Sequence, residues 1–141
     1  MRWGAVLFAI ALMGGGAGAA SAAEAPSLAA QLGGKTLSAV VYVPRNAANG
    51  GGSLQRLVLQ AYLEADGRAL VRQWQSADNR YSAPARTRWS LTDDKLCIEL
   101  SATPICAKVH IWGPRIAGIG TRPYAMLDGD LQPGNTIAGG R

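Results

Sequence analysis

Histidine and cysteine are scarce in this chain of 141 residues, which contains one histidine and two cysteines. Two thiols and one imidazole do not complete a four-ligand zinc site. The eight residues between Cys97 and Cys106 are too many for a CxxC redox motif. The sequence therefore predicts no metal and no other cofactor.

Long apolar runs are also missing beyond the N-terminal segment, so we expect no transmembrane segment in the mature chain. The one apolar run, residues 4–13, follows Arg2 and precedes the small residues 14–23. A charge, a short apolar stretch and small residues, in this order, are typical of a secretory signal peptide. Two overlapping small-x-small motifs predict cleavage after Ala22 or Ala23, and a periplasmic or secreted protein. A membrane anchor or a buried helix is the alternative interpretation.

Charged residues make up only 16% of the chain, whereas 18 residues are glycine and 48% are hydrophobic. This apolar content excludes an intrinsically disordered protein. Removing the leader removes one of 14 basic residues and none of the nine acidic ones, which leaves a net charge of +4. The basic residues are spread along the chain, so the charge alone indicates neither nucleic acid nor a membrane surface as a partner.

Seven segments have the two-residue alternation or the β-branched composition of strands. They cover residues 36–43, 54–64, 68–75, 86–92, 95–100, 105–112 and 124–127. A helix is the alternative for 54–64, because leucine and glutamine suit helices well. Residues 24–31 predict a short helix that ends at Gly33-Gly34.

Turn signals separate the predicted strands at Asp66-Gly67 and Asp93-Asp94, and residues 44–53 and 76–84 are predicted loops. We expect an all-β, mainly antiparallel fold of about seven to eight strands: an up-and-down or lipocalin-like barrel, or a sandwich. The expected divisions are a signal peptide (1–23), a helical lead-in (24–35), a β-rich domain (36–131) and a flexible tail (132–141).

The two cysteines are expected to form a disulfide, because an exported chain folds in an oxidising compartment. Each cysteine falls on the less apolar face of its predicted strand. If Cys97 lies directly opposite Cys106, Leu100 faces Thr103 across a two-residue turn at 101–102. Face, register and turn therefore agree on a cross-strand disulfide.

His110 is the candidate for acid–base chemistry, since the same register puts it across from Asp93. The nearby Ser90 and Ser101 lie in no nucleophile motif, so we interpret His110 as a surface residue and the protein as a non-enzyme. Residues 128–130, Asp-Gly-Asp, resemble a fragment of a calcium loop that lacks the other ligands. They predict a β-turn.

Basic and aromatic residues are densest between positions 80 and 89. Small barrels bind single-stranded nucleic acid with such clusters, but export argues against nucleic acid and favours an anionic glycan or lipid headgroup. Trp89 has the parity of Leu91 and is expected in the core. Core filling is also predicted for Trp74 and Trp112, with a ligand cavity as the alternative. The predicted ligand or partner surface consists of Arg80, Tyr81, Arg86, Arg88 and His110.

Several of these segments resemble small exported proteins of unknown function from Gram-negative bacteria, in which a Gly-x-Trp-x-Val-x-Asp strand precedes a Leu-Cys pair and a second cysteine. The likeness covers about residues 28–135, although Thr87 or Arg88 stands where those proteins have the glycine. It implies a periplasmic, barrel-like fold and no established activity. Single-disulfide barrels that inhibit bacterial proteases are a second likeness, with wider cysteine spacing. The matching segments are Gly34-Lys35-Thr36-Leu37, Asp66-Gly67, Arg88-Trp89-Ser90-Leu91, Lys95-Leu96-Cys97-Ile98, Cys106 and Pro133-Gly134-Asn135.

We therefore expect a non-enzymatic binding or interaction module whose partner is a protein or an anionic envelope ligand. One form of this hypothesis is an inhibitor of an envelope or secreted hydrolase that presents loop 44–53 or loop 76–84. Two competing hypotheses are a small hydrolase that uses His110 and a structural component of the envelope.

The leader prediction is tested by N-terminal sequencing of the exported protein. The mature chain should begin at Ala23 or Glu24, because the small side chains before these residues fit signal peptidase. An intact Met1 in a membrane pellet would contradict export by cleavage.

Overall fold

The computed structural model describes residues 24–44, 53–100, 104–121 and 124–138. The predicted signal peptide, most of the predicted loop 44–53 and the predicted turn at 101–102 lie outside these residues. Nine strands and one short helix are present in the described part of the chain. They are α1 (Leu28–Leu32), β1 (Lys35–Pro44), β2 (Leu54–Leu63), β3 (Arg68–Gln75), β4 (Arg80–Tyr81), β5 (Ala85–Thr92), β6 (Lys95–Ile98), β7 (Ile105–Trp112), β8 (Arg115–Thr121) and β9 (Tyr124–Pro133).

Eight of the strands form a closed antiparallel ring, which confirms the predicted all-β fold and its up-and-down order. Neighbours along the chain pair with each other, except that β3 pairs with β5. The two-residue strand β4 pairs only with β3 and lies beside the ring. Residues 54–63 are a strand, not the alternative helix, because their apolar positions alternate and side chains at alternate positions are buried.

The ring closes where β1 pairs with β9, from Lys35 opposite Pro133 to Tyr42 opposite Met126. A glycine is required at this seam. A Cβ atom on Gly129 would stand 2.5 Å from the carbonyl oxygen of Ser38 and 2.9 Å from the Cβ of Ala39. Gly129 therefore permits the close approach of β9 to β1.

Helix α1 precedes the ring and is stopped by its own sequence signals. The Ser27 hydroxyl accepts a hydrogen bond from the Ala30 N–H at 3.2 Å, as an N-cap does. The Gly33 N–H donates to the Ala29 carbonyl at the other end. The predicted helix is thus confirmed, but it starts at Leu28 and buries Leu32 in the core.

The turn predicted at residues 128–130 is wrong, and residues 116–120, which are not among the seven predicted strands, are also a strand. Both segments belong to long paired strands, β9 and β8. Glycine is depleted in strands and thus weakens the strand signal. Here it serves close packing, because a Cβ on Gly118 would stand 2.9 Å from Cγ1 of Val109. Asp128 and Asp130 both lie on the outer face and bind Arg115, at 2.7 and 3.3 Å.

Strand β9 extends to Pro133, and the segment after it contacts the ring through Thr36 and Ile137, whereas the sequence predicted a flexible tail from 132 onward. The Thr36 hydroxyl donates to the Gly134 carbonyl at 2.7 Å and accepts from the Thr136 N–H at 3.0 Å. Ile137 is only 2% exposed. Thr36, which lies on the outer side of β1, therefore binds the C-terminal segment to the barrel through two hydrogen bonds.

The interior of the ring is filled by side chains. Its apolar core comes from inward positions of all eight ring strands and from Leu32. The cavity between these side chains measures about 10 Å³, which is the space of about one water molecule. The described residues therefore leave no room inside the barrel for a ligand. The lining residues are Val41, Leu59, Leu96, Ile98, Leu100, Ile105, Ala107 and Leu127.

Only one of the three tryptophans expected in the core is there. Trp89 is buried, and its indole N–H donates to the Glu64 carbonyl at 2.8 Å. Trp74 and Trp112 are 39% and 48% exposed, so core filling is wrong for both. The filled interior also excludes the alternative, a ligand cavity inside the barrel that these tryptophans line. Trp74 has the opposite parity to buried Val71, and Trp112 the opposite parity to buried Val109, so both fall on the outer face.

The hairpin predicted at Asp66-Gly67 joins β2 to β3. Gly67 has φ +88°, a backbone conformation that favours glycine. The Asp66 carboxylate accepts the Arg68 N–H at 3.1 Å and contacts the Arg68 guanidinium at 2.7 Å. The pKa of the Asp66 carboxyl lies below its usual value. The hydrogen bond from the Arg68 backbone N–H is the main cause, and the positive charge of the Arg68 guanidinium lowers the pKa further.

Cys97 and Cys106 form the predicted disulfide, directly opposite each other on β6 and β7. The predicted faces are also confirmed, since Leu96, Ile98 and Ala107 are buried while both cysteines are half-buried on the outside. The disulfide therefore lies on the outer surface of the barrel.

Replacing both cysteines by alanine should lower the free energy of unfolding by about 2–3 kcal/mol, because the disulfide closes a short loop in the unfolded chain. Urea denaturation of the double variant beside the wild-type protein measures the loss. Thiol alkylation of the native, unreduced protein is the control. Two alkylated cysteines in that sample would contradict the disulfide.

Candidate functional site

A cleft opens beside β3 at the point where the backbone pairing between β3 and β5 ends. β3 pairs with β5 only from Arg68 to Val71, and it pairs further along with β4. The chain from 76 to 84 leaves the ring between these two pairings. The space beside it has a volume of about 490 Å³, within the range of small-molecule sites. It is lined by Val71, Gln73, Trp74, Gln75, Ser82, Ala85, Arg86, Thr87, Glu99 and Leu100.

Hydrogen bonds stiffen the β3–β4 hairpin that forms one wall of this cleft. The Ser82 N–H donates to the Gln73 carbonyl at 2.8 Å, and the Gln73 N–H donates to the Ser82 hydroxyl at 3.1 Å. At the tip, Asn79 has φ +50°, which asparagine tolerates better than most residues. These hydrogen bonds hold the backbone of the hairpin in place at the wall of the cleft.

An aromatic–cation cluster holds the exposed Trp74 in place. Its ring meets the Tyr81 ring edge-to-face, with the centroids 5.2 Å apart. The Arg72 guanidinium lies 4.7 Å from the Tyr81 centroid and donates to the Gln60 amide oxygen at 2.8 Å. Gln60 in turn donates to the Ser38 hydroxyl at 3.2 Å. The cluster thus ties Trp74 to three strands of the ring.

The charged groups of the cleft are exposed and balanced. Arg86 is 79% exposed and lies 3.9 Å from the Glu64 carboxylate, a contact that contributes little stability at the surface. Glu99 lies on the opposite wall with its side chain exposed. The lining therefore contains one positive and one negative side chain.

The five residues predicted as a partner surface do not form one patch, because Arg80 lies opposite Gln75 and Arg88 opposite Arg68, at the two ends of β3. Arg80 and Tyr81 form β4, and Arg86 and Arg88 lie on the outer face of β5. The row of Ser90, Cys97 and Cys106 crosses β5, β6 and β7. His110 lies on the far side of that row from Arg88, toward the other end of the barrel.

Arg88 lines a second groove, which runs along the outside of β5 and reaches Cys97 and Pro104. The other cation in this groove, Arg68, is held by Glu64 at 3.2 Å and by Asp66 at 2.7 Å. Among the described residues that line the groove, the one aromatic is Trp89, which is buried. Among its described lining residues, this second groove therefore has no exposed aromatic side chain comparable to Trp74 in the first cleft.

The most informative cleft residue, Trp74, was missed as a site residue by the sequence interpretation. Its signal was present: Ala69 and Val71 mark the inward positions of β3, so Trp74 falls outward. The polar wall residues Gln73 and Gln75 have no such signal. They line the same cleft as Arg86 and Glu99 only because the ladder opens at this point.

His110 does not form the predicted pair with Asp93. Its ring stacks on the Trp112 ring, with the centroids 5.6 Å apart. Asp93 lies in the tight β5–β6 turn with φ +56°, outside the β6 ladder. Among the described residues, no hydrogen bond or ion pair joins the two side chains. The neighbouring carboxylate, Asp94, instead approaches Lys108, at 3.7 Å.

No group of three metal-ligating side chains is found among the described residues. In the same part of the chain, no helix is long and apolar enough to cross a membrane. No protein-family model, curated protein or solved structure matches the chain. The function is therefore inferred from the geometry of the surface.

Replacing His110 by alanine should change the free energy of unfolding by no more than about 0.5 kcal/mol, the usual range for a surface substitution. The imidazole is exposed, and it stacks on the indole of Trp112, which is exposed as well. Its removal therefore costs little buried contact. Urea denaturation measures the change. A loss several times larger would show that this side chain has a structural partner.

Proposed function

We propose that this protein is a non-enzymatic binding module that works in the periplasm or outside the cell after its leader is removed. The order of charge, apolar run and small residues at the N-terminus supports export. The disulfide between Cys97 and Cys106 supports it independently, because such bonds persist in oxidising compartments.

One contrast carries the proposal: the barrel interior is filled, whereas a cleft of about 490 Å³ opens on its side. A barrel that carried a ligand inside would need an internal cavity of several hundred Å³. Recognition is therefore assigned to the outer surface formed by β3, β4 and β5. There Trp74, Tyr81 and Arg86 are held on a stiff hairpin or a paired strand.

The residue types on this surface are those that dominate binding energy at interfaces, where tryptophan, tyrosine and arginine are enriched. Because the hairpin is built in advance, binding loses little conformational entropy. A protein partner and an anionic envelope ligand are both compatible with these groups. Inhibition of a hydrolase is one form of the proposal, since residues 75–80 are exposed on a rigid turn.

The test compares Trp74→Ala with Trp112→Ala, which removes another exposed tryptophan from the outer face. The exported protein is immobilised, exposed to envelope extract, and its retained components are quantified by mass spectrometry. Trp74→Ala should lower specific retention at least about tenfold, the loss that corresponds to 1.4 kcal/mol. Trp112→Ala should retain the same components as the wild type.

Circular dichroism and the intact disulfide serve as folding controls for both variants. Equal retention by the wild-type protein and Trp74→Ala would contradict the assignment of binding to this surface. An equal loss in both variants would contradict it as well.

A further inference from the structure

The outside of the barrel is apolar across four neighbouring strands, β2, β1, β9 and β8. Outward positions alternate with the buried ones along each strand, and the register sets them side by side. Tyr42 lies opposite Met126, and Met126 lies opposite Ile119. Val40 and Val58 form the neighbouring pair on β1 and β2. Cross-strand partners have their Cβ atoms about 5 Å apart, so these five residues form one surface, which we name the apolar face.

The apolar face is open to solvent in the described part of the chain. Ile119 is 59% exposed and Met126 is 40% exposed. Leu54, which lies on the same side of β2 as Val58, is 51% exposed. These are three of the five large apolar side chains that are exposed among the described residues. Single exposed apolar residues are usual on a protein, whereas a contiguous group marks an interaction site.

Cations border the apolar face at both ends of its central row. Arg56 lies opposite Tyr42 on one side, and Lys108 lies opposite Ile119 on the other. Both basic side chains are exposed. From β2 to β7 the row therefore consists of a cation, three outward apolar or aromatic residues and a second cation, with no carboxylate among them.

The carboxylates nearest to this row are bound to cations. Asp128 and Asp130 lie in the rows beyond it and both bind Arg115, at 2.7 and 3.3 Å. Asp94 approaches Lys108 at 3.7 Å, a surface contact that is weak and easily exchanged for another anion. The cations of the row therefore remain available to an anionic partner.

This distribution of charge favours an anionic lipid surface over a second copy of the chain. Two copies that met through the apolar face would bring the cations of one row against those of the other, and like charges repel. The sequence that joins the strands adds to the positive charge, since residues 45–53 and 122–123 contain two arginines and no acidic residue. A bilayer adapts to the convex outside of a barrel. Its acyl boundary accepts apolar side chains, and its headgroups attract the cations.

We propose that the apolar face docks the exported protein on an anionic lipid bilayer. Ile119 and Met126 enter the boundary between headgroups and acyl chains, and Arg56 and Lys108 bind lipid phosphates. Docking goes beyond the proposed function, because it uses a different part of the barrel. Strand β5 lies four strands from β9 in either direction around the ring, so Arg86 would point away from the bilayer.

The exported protein is sedimented with vesicles of phosphatidylcholine that contain about 30% phosphatidylglycerol, and with vesicles of phosphatidylcholine alone. Binding to the anionic vesicles should be at least about tenfold tighter, because each cation at the surface contributes about fivefold. Raising sodium chloride from about 0.05 to 0.5 M should weaken it, since salt screens the attraction.

Substitutions on the outer surface test which residues touch the lipid. Ile119→Ser combined with Met126→Ser should weaken binding to the anionic vesicles at least about tenfold, because two apolar side chains leave the interface. Trp112→Ser is the matched control, since it removes an exposed apolar side chain outside the row, and it should change the affinity less than about twofold. Arg56→Gln combined with Lys108→Gln should reduce the preference for anionic vesicles about tenfold. Circular dichroism and the intact disulfide check the fold of every variant.

A spin-labelled lipid locates the contact. In bicelles of the anionic mixture, the label should broaden the backbone amide signals of Tyr42, Met126 and Ile119 in the nuclear magnetic resonance spectrum of the nitrogen-15-labelled protein. The signals of Arg86 and Arg88 should stay sharp, because β5 lies opposite β9 in the ring.

Five outcomes overturn the inference. They are no binding to anionic vesicles at about 5 mM lipid, equal affinity for both kinds of vesicle, and a loss in Trp112→Ser equal to that in the Ile119→Ser, Met126→Ser variant. The others are a dimer in sedimentation velocity that the same double variant dissociates, which assigns the face to a second copy, and an envelope protein that this variant fails to retain. The retention experiment with Trp74→Ala tests the proposed function independently of these outcomes.

Discussion

The pairing of β1 with β9 joins the first long strand of the domain to the last, and the closed ring depends on it. The seam forms because Gly129 presents no Cβ to the Ser38 carbonyl. It also sets the C-terminal segment beside β1, where Thr36 binds it through two hydrogen bonds. Closure removes the free edges that an open sheet of this size would expose. The remaining irregularity, β4, is confined to one place on the rim.

Closure with a filled interior directs binding to the outside of the barrel. Aliphatic side chains and the indole of Trp89 occupy the inward positions, so almost no empty space remains in the core. Because alternate residues of every strand point outward, exposed Trp74 and buried Val71 can share one strand. The inner face of the sheet therefore forms the core, and the outer face of the same strands forms the candidate binding surface.

The interruption between β3 and β5 creates the cleft at small cost to the barrel. Four residue pairs still join the two strands, and the hairpin bonds of Gln73 and Ser82 satisfy the backbone of the diverging segment. The aromatic–cation cluster then anchors this segment to β2 and β1 through Arg72 and Gln60. The cleft beside this segment is lined by residues of β3 and β5 and by Glu99 and Leu100, which follow β6.

The sequence by itself determined what depends on local periodicity. Alternation predicted most strands, and the parity of Cys97 and Cys106 predicted their register and the outer position of the disulfide. Arg80, Tyr81, Arg86 and Arg88 were found because they lie close together along the chain. Only the tertiary structure decided that residues 116–120 and 128–130 are strands. Their glycines lower strand propensity locally and are needed only when neighbouring strands approach. It also decided that Trp74 and Glu99 share a cleft, because their proximity depends on where the ladder between β3 and β5 ends.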